Sequence, residues 1–99
     1  MTIDEFLLAQ LDELEAEAHR QERLIAEDYY DTDGELPEML AVFGGPRYVL
    51  AVCRAKRAIV TEYRNASTHL AKDALHRVVA LLAQTFSEHP DFKPEWKTS

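Results

Sequence analysis

Cysteine occurs once in these 99 residues, glycine three times and proline four times. A single thiol, Cys53, cannot close an internal disulfide or furnish a cysteine-rich zinc site, so the expected compartment is the reducing cytoplasm. The scarcity of glycine and proline leaves few turn-formers and argues against a turn-rich β fold. No apolar run approaches the roughly 18 residues of a membrane span. The opening stretch, MTIDEFLLAQLDELEAE, is acidic where a secretory signal would be basic. What remains is a chain rich in alanine and aliphatic residues, expected to form one all-α domain over 1–99. A chain of this size buries roughly 60–65% of its unfolded surface, enough for one modest core.

The net charge of −7 is unevenly spread. Residues 1–43 carry thirteen acids against two arginines, and residues 44–99 carry nine bases against five acids. An acidic first half and a basic second half can neutralise each other without an outside partner.

The first helix is expected over 3–29. Thr2-Ile-Asp-Glu5 has the form of a capping box, in which hydroxyl and carboxylate satisfy orphan amides. Apolar residues then recur at Ile3, Leu7, Leu11, Leu14, Ala18 and Ile25, one stripe of an amphipathic helix with Gln21 as a polar interruption. A loop with a short helical turn is expected over 30–45, with Asp31-Thr-Asp-Gly34 as a turn. Pro46 suits the first position of a second helix. Its apolar phase runs through Val49, Cys53, Lys56, Val60, Tyr63, Ser67, Leu70, Ala74, Val78, Leu81 and Thr85. Because the phase survives the weak helix formers at 65–68, one long helix over 46–88 is preferred, with a kink or split near 65–67 as the rival. Such a helix would be roughly 60 Å long against about 40 Å for the first. The uncovered remainder of its stripe predicts a homodimer.

Several groupings could carry chemistry. Glu15 and His19 lie four apart, not at the Glu-x-x-His spacing of helical di-iron sites, and no second copy of the motif exists. The same region loosely resembles helical nucleotide pyrophosphohydrolases, but their acidic pair is replaced on the next helix by Arg54, Lys56 and Arg57. It reads as a solvated acidic face. An EF-hand register on Gly34 would put Tyr29 and Leu40 where essential oxygen ligands belong, so this segment reads as a turn. His69, Asp73 and His76 share a face, yet the outer pair is separated by about 10 Å along the axis. Gly44-Gly-Pro-Arg47 lacks the pattern of a phosphate-cradling loop. Cys53 falls on the apolar seam and reads as a small buried hydrophobe. Lys56, also on the seam, must pair or snorkel, and a first-helix glutamate such as Glu17 could pair with it. No catalytic residue, metal ligand or cofactor site is assigned.

The surface residues singled out are Arg47, Arg54, Arg57 and Arg64, a stripe able to meet either phosphates or the acidic flank represented by Glu15 and Glu22. With a sequence pI near 5, pairing with protein acids is the preferred reading and nucleic acid the alternative.

In the tail, 89–99, Pro90 ends the last helix at about residue 88. Phe92 and Trp96 lie four apart with Pro94 between them, and two such aromatics beyond a helix are expected to fold back as a strap. The order of an acidic helix, then Pro46-x-x-Val49-Leu50-Ala-x-Cys53-x-Ala55-Lys56-Arg57-x-Ile59-Val60, then His89-Pro90-Asp91-Phe92-x-x-Glu95-Trp96 resembles a family of small uncharacterised proteins from actinobacteria and their phages. Members more often have tyrosine at the Phe92 position, and many carry a longer, sometimes cysteine-containing insertion where this chain has residues 62–77. The resemblance implies a cytoplasmic origin, in the host if phage-encoded, and supplies no catalytic residues. The expected function is a non-enzymatic protein–protein interaction protein that modulates a host protein. The alternatives are a nucleic-acid-associated regulator and a small metal-dependent enzyme.

Overall fold

A computed structural model describes residues 1–31 and 45–97, with 26–31 as backbone alone. Those residues form three α-helices and no strand: α1 (Ile3–Asp31), α2 (Pro46–Asn65) and α3 (His69–Gln84), followed by a 3-10 turn at Pro94–Trp96. The all-α expectation therefore stands. No helix among the described residues is long and apolar enough to cross a membrane. The helical turn expected over 37–43 lies outside the described residues, as does the turn at 31–34 apart from Asp31, which closes α1.

The start of α1 is built as the capping box requires. The Thr2 amide donates to Glu5 Oε1 at 3.0 Å, and the Glu5 amide donates to Thr2 Oγ1 at 3.4 Å. Asp4 and Glu5 place negative charge in the first turn, where the helix dipole favours it. Ile3, Leu7, Leu11 and Ala18 are buried as the periodicity demands. Leu14 departs from the expected stripe, being 37% exposed, whereas Phe6 and Gln10 are buried beside it. Three- and four-residue steps from Ile3 reach Phe6 and Leu7 alike, so the apolar face is wider than a single file.

The preference for one unbroken second helix is corrected. Helix α2 stops at Asn65, and Thr68, with extended backbone (φ −100°, ψ 150°), caps a new helix by accepting the Ala71 amide at 3.1 Å. Lys72, one turn into α3, donates to the Tyr63 carbonyl at 3.0 Å and lies 4.4 Å from the Tyr63 ring centroid. The Tyr63 carbonyl, near the end of α2, thus accepts both the Ala66 amide at 3.3 Å and an ammonium from the next helix. The break also resets the phase. Val79 and Ala83 are buried, with Ala71, Leu75, Leu82 and Phe86 half-buried. The inner face of α3 is therefore one residue, or about 100°, away from the expected stripe. Leu70, Ala74, Val78 and Leu81 face outward, with Leu70 82% and Leu81 62% exposed. The 60 Å helix does not exist, and the length argument for a dimer goes with it.

Helix α3 also ends earlier than expected, at Gln84. The Thr85 hydroxyl donates to the Leu82 carbonyl at 2.8 Å, and successive i→i+3 bonds from Phe86 and Ser87 tighten the chain into turns before Pro90 is reached.

The chain divides into two compact units, one of Met1–Leu11 with Ala55–Ser99 and the other Asp12–Arg54. In the first, Arg64 closes on Asp4 across sixty residues of sequence at 2.8 Å. In the second, Ala18 and Cys53 are buried, and Gly45 starts α2 by accepting the amides of Tyr48 and Val49 at 3.1 and 3.4 Å. Pro46 takes the first helical position as expected.

Candidate interaction site

The chemistry-bearing residues of the first unit gather around the N-terminal turns of α1. Phe6 has no exposed surface and lies at the centre of a ring cluster. Its centroid is 5.3 Å from Trp96, 5.6 Å from His89, 5.7 Å from Phe92 and 6.4 Å from Phe86. Phe92 and Trp96 meet edge to face at 5.6 Å and 82°. These are the separations at which edge and face charge attract. The tail is therefore a strap anchored by Phe92 and Trp96. It is locked by Gln84, whose Nε2 donates to the Trp96 carbonyl at 2.7 Å and to Ala80 O at 2.9 Å. His89 belongs to the same cluster, and its Nδ1 accepts the Asp91 amide at 3.1 Å. In this turn the imidazole and the Asp91 backbone hold the chain reversal at Pro90.

Beside the cluster lies a shallow groove of about 690 Å³. Ile3, Tyr63, Ala80, Leu81 and Trp96 supply its apolar lining, and Asp4, Arg77, Glu95 and Lys97 its charges. His76 packs against Tyr63 with centroids 5.7 Å apart. Partial burial pushes the Asp4 carboxyl up, but hydrogen bonds involving Thr2 and Arg64 outweigh it and hold Asp4 below its ordinary value. Glu5 is lowered as well, by the Thr2 hydroxyl and then the Thr2 amide.

The arginine stripe is divided between the units. Arg57 and Arg64 belong to the first, where Arg57 is half-buried and Arg64 pairs with Asp4. Arg47 and Arg54 are exposed in the second. Glu22 lies 3.6 Å from His19, and Glu15 is half-buried. Glu17, the candidate partner of Lys56, accepts from Arg20 at 2.9 Å and from Gln21 at 3.3 Å on its own helix. Its carboxyl is lowered chiefly by Arg20. The candidate metal face is also spread out. His69 contacts Asp73 at 3.2 Å while His76 turns to Tyr63. Among the described residues no group of three or more His, Cys, Asp or Glu side chains is arranged to hold a metal ion.

Periodicity missed two features. Phe6 stands outside the single file through Leu7, although its place three residues after Ile3 puts it on the same face. The outward turn of Leu70 and Leu81 follows from a helix break that Thr68 signals as a good N-cap residue.

Residues 1–98 match the model of DUF6221, a family of unknown function. The chain belongs to this family. No curated protein and no solved structure matches it. Nearly the whole chain, including the strap and the groove beside it, lies within the stretch that DUF6221 covers.

Proposed function

We propose that this DUF6221 member is a small non-enzymatic interaction protein, acting in the cytoplasm of an actinobacterium or of an actinobacterial host infected by a phage. In this reading it works as a homodimer and modulates another protein. One observation carries the reading: α3 shows apolar side chains on two faces, and the outer one is bare. Leu70 is 82% exposed and Leu81 62%, on a helix whose opposite face already closes the core. A continuous outward apolar stripe has a desolvation gain to collect only from a partner. The groove supports the same reading, since an apolar floor with a charged rim is the anatomy of a protein-binding patch. The tail motif His89-Pro90-Asp91-Phe92 serves here to anchor that patch.

The test is affinity capture from an actinobacterial lysate with the wild-type chain and with Leu70→Glu and Leu81→Glu as baits. The expected outcome is one stoichiometric protein retained by the wild type and lost by both variants. Equal recovery from all three baits, or none from any, would count against the proposal. Arg47 and Arg54 remain exposed, and the nucleic-acid alternative predicts tight duplex binding at low salt that falls steeply as salt is raised.

A further inference from the structure

We infer that the outer stripe of α3 pairs antiparallel with the same stripe of a second copy of this chain, with Leu70 of each copy seated beside Leu81 of the other. This inference rests on the reading of α3 as an interaction surface and names its occupant.

The stripe advances by four, four and three residues from Leu70 through Ala74 and Val78 to Leu81, the spacing of a helix–helix seam. Its largest residues are at its two ends, and its middle is small. A two-fold axis perpendicular to the helix, passing near its centre, places each leucine opposite the other kind. It also lets the two helices approach closely over Ala74. The seat for the incoming side chain already exists. Leu81 lines the groove together with Ile3, Ala80 and Trp96, so the partner's Leu70, the most exposed large apolar residue described, enters an apolar recess.

Charge selects the orientation. Asp73 and Arg77 lie on one flank of the stripe, one turn apart. In an antiparallel pair with a two-fold axis, equivalent flanks of the two helices face each other in reversed order. Asp73 then lies opposite the partner's Arg77, and Arg77 opposite the partner's Asp73, giving two complementary contacts. Asp73 pairs with exposed His69 on its own helix, at 3.2 Å. Such an exposed pair is held weakly enough to be exchanged. On the other flank Val78 meets small and apolar positions. Four apolar residues per chain fall short of the roughly 800 Å² each partner gives to a standard interface, so the groove at either end must take part and the dimer is a modest one.

The experiment is a charge exchange read by light scattering coupled to size exclusion over a concentration series. The wild type should move from 11.3 kDa toward twice that mass. Asp73→Arg and Arg77→Glu should each place like charges face to face and weaken dimerisation by about tenfold or more. The double variant D73R/R77E should recover the wild-type dimer, because both contacts are restored with signs reversed. An equimolar mixture of the two single variants should form heterodimers. Leu70→Glu should leave a monomer with unchanged helical circular dichroism, since Leu70 is outside the core. A wild type that stays at 11.3 kDa up to about 1 mM would overturn the inference, as would a dimer indifferent to the swaps or a double variant without recovery. Self-pairing and the broader function fail separately. A monomer that still captures a protein through Leu70 overturns the pairing alone, whereas a swap-sensitive dimer that captures nothing overturns the modulator reading alone.

Discussion

In the unit formed by Met1–Leu11 and Ala55–Ser99 the fully buried side chains are mostly large, Phe6, Leu7, Leu11, Val60 and Val79, with Ala83 the small one among them. In Asp12–Arg54 the buried hydrophobic side chains among the described residues are Ala18 and Cys53, with Pro46 at the head of α2. Among the described residues, burial in the first unit is mainly of bulky groups and in the second of small ones. The two respond to opposite kinds of substitution, because removing volume opens cavities and adding it forces strain. Aromatic rings also bring recognition geometry that methyl groups lack, which is why the strap and the groove beside it belong to the bulky unit.

The largest expected effect is at Phe6. Phe6→Ala removes the ring that touches Phe86, His89, Phe92 and Trp96 at once, so the loss should reach about 3–5 kcal/mol. Urea unfolding followed by circular dichroism measures it, with Trp96 fluorescence reporting release of the tail. A loss below about 1 kcal/mol would mean that the cluster is not the centre of that core. The reciprocal test is at Ala18, which is 2% exposed. Ala18→Leu should destabilise by about 1–3 kcal/mol through overpacking, although leucine is the more hydrophobic residue. A stabilised Ala18→Leu protein would break the contrast between the two interiors.

Much of this contrast could be read before the fold was known. The capping box at Thr2 and Glu5, the start at Pro46 and the aromatic strap are local signals, each decided within four or five residues. Of the arginine stripe, Arg64 meets an acid of the first helix, Asp4, which is neither Glu15 nor Glu22. Which acid it meets depends on chain reversal over sixty residues, and no local pattern encodes that. The helix break was misread for a different reason. Helix α3 carries apolar residues on two adjacent faces, so the file through Leu70, Ala74, Val78 and Leu81 extends the stripe of α2 in sequence even though the break turns Ala71, Leu75, Val79 and Ala83 inward instead. The decisive signal is polar: Thr68 as cap, with Lys72 placed to reach back to the Tyr63 carbonyl. Once the break is admitted, Leu70 and Leu81 rotate outward, and the surface that carries the functional reading comes into view. The groove was not legible, because its lining comes from four separate parts of the chain.

The smallest effect compares two depressed carboxylates, one in each unit. Asp4 is held down by Thr2 and by Arg64 from another helix, and Glu17 by Arg20 one turn away. A carboxyl whose folded pKa lies below its unfolded one contributes stability that is complete above the unfolded value. That contribution disappears as pH falls through the folded value. Asp4→Asn should therefore cost about 0.2–1 kcal/mol at pH 7, the range for an ion pair at a surface, and the gap to wild type should close as acid protonates Asp4. The Asp4 side chain is only 13% exposed, so added salt should shrink the gap less than it would for an open pair. Glu17→Gln, at an exposed pair within one helix, should show a smaller gap at pH 7 that salt largely removes. Parallel denaturation series at pH 7 and pH 3, each with and without added salt, separate the two. Equal gaps and equal salt sensitivity would show that the long-range pair contributes no more than a local one, and that the closure of Asp4 onto Arg64 follows from the aromatic core without helping to hold it.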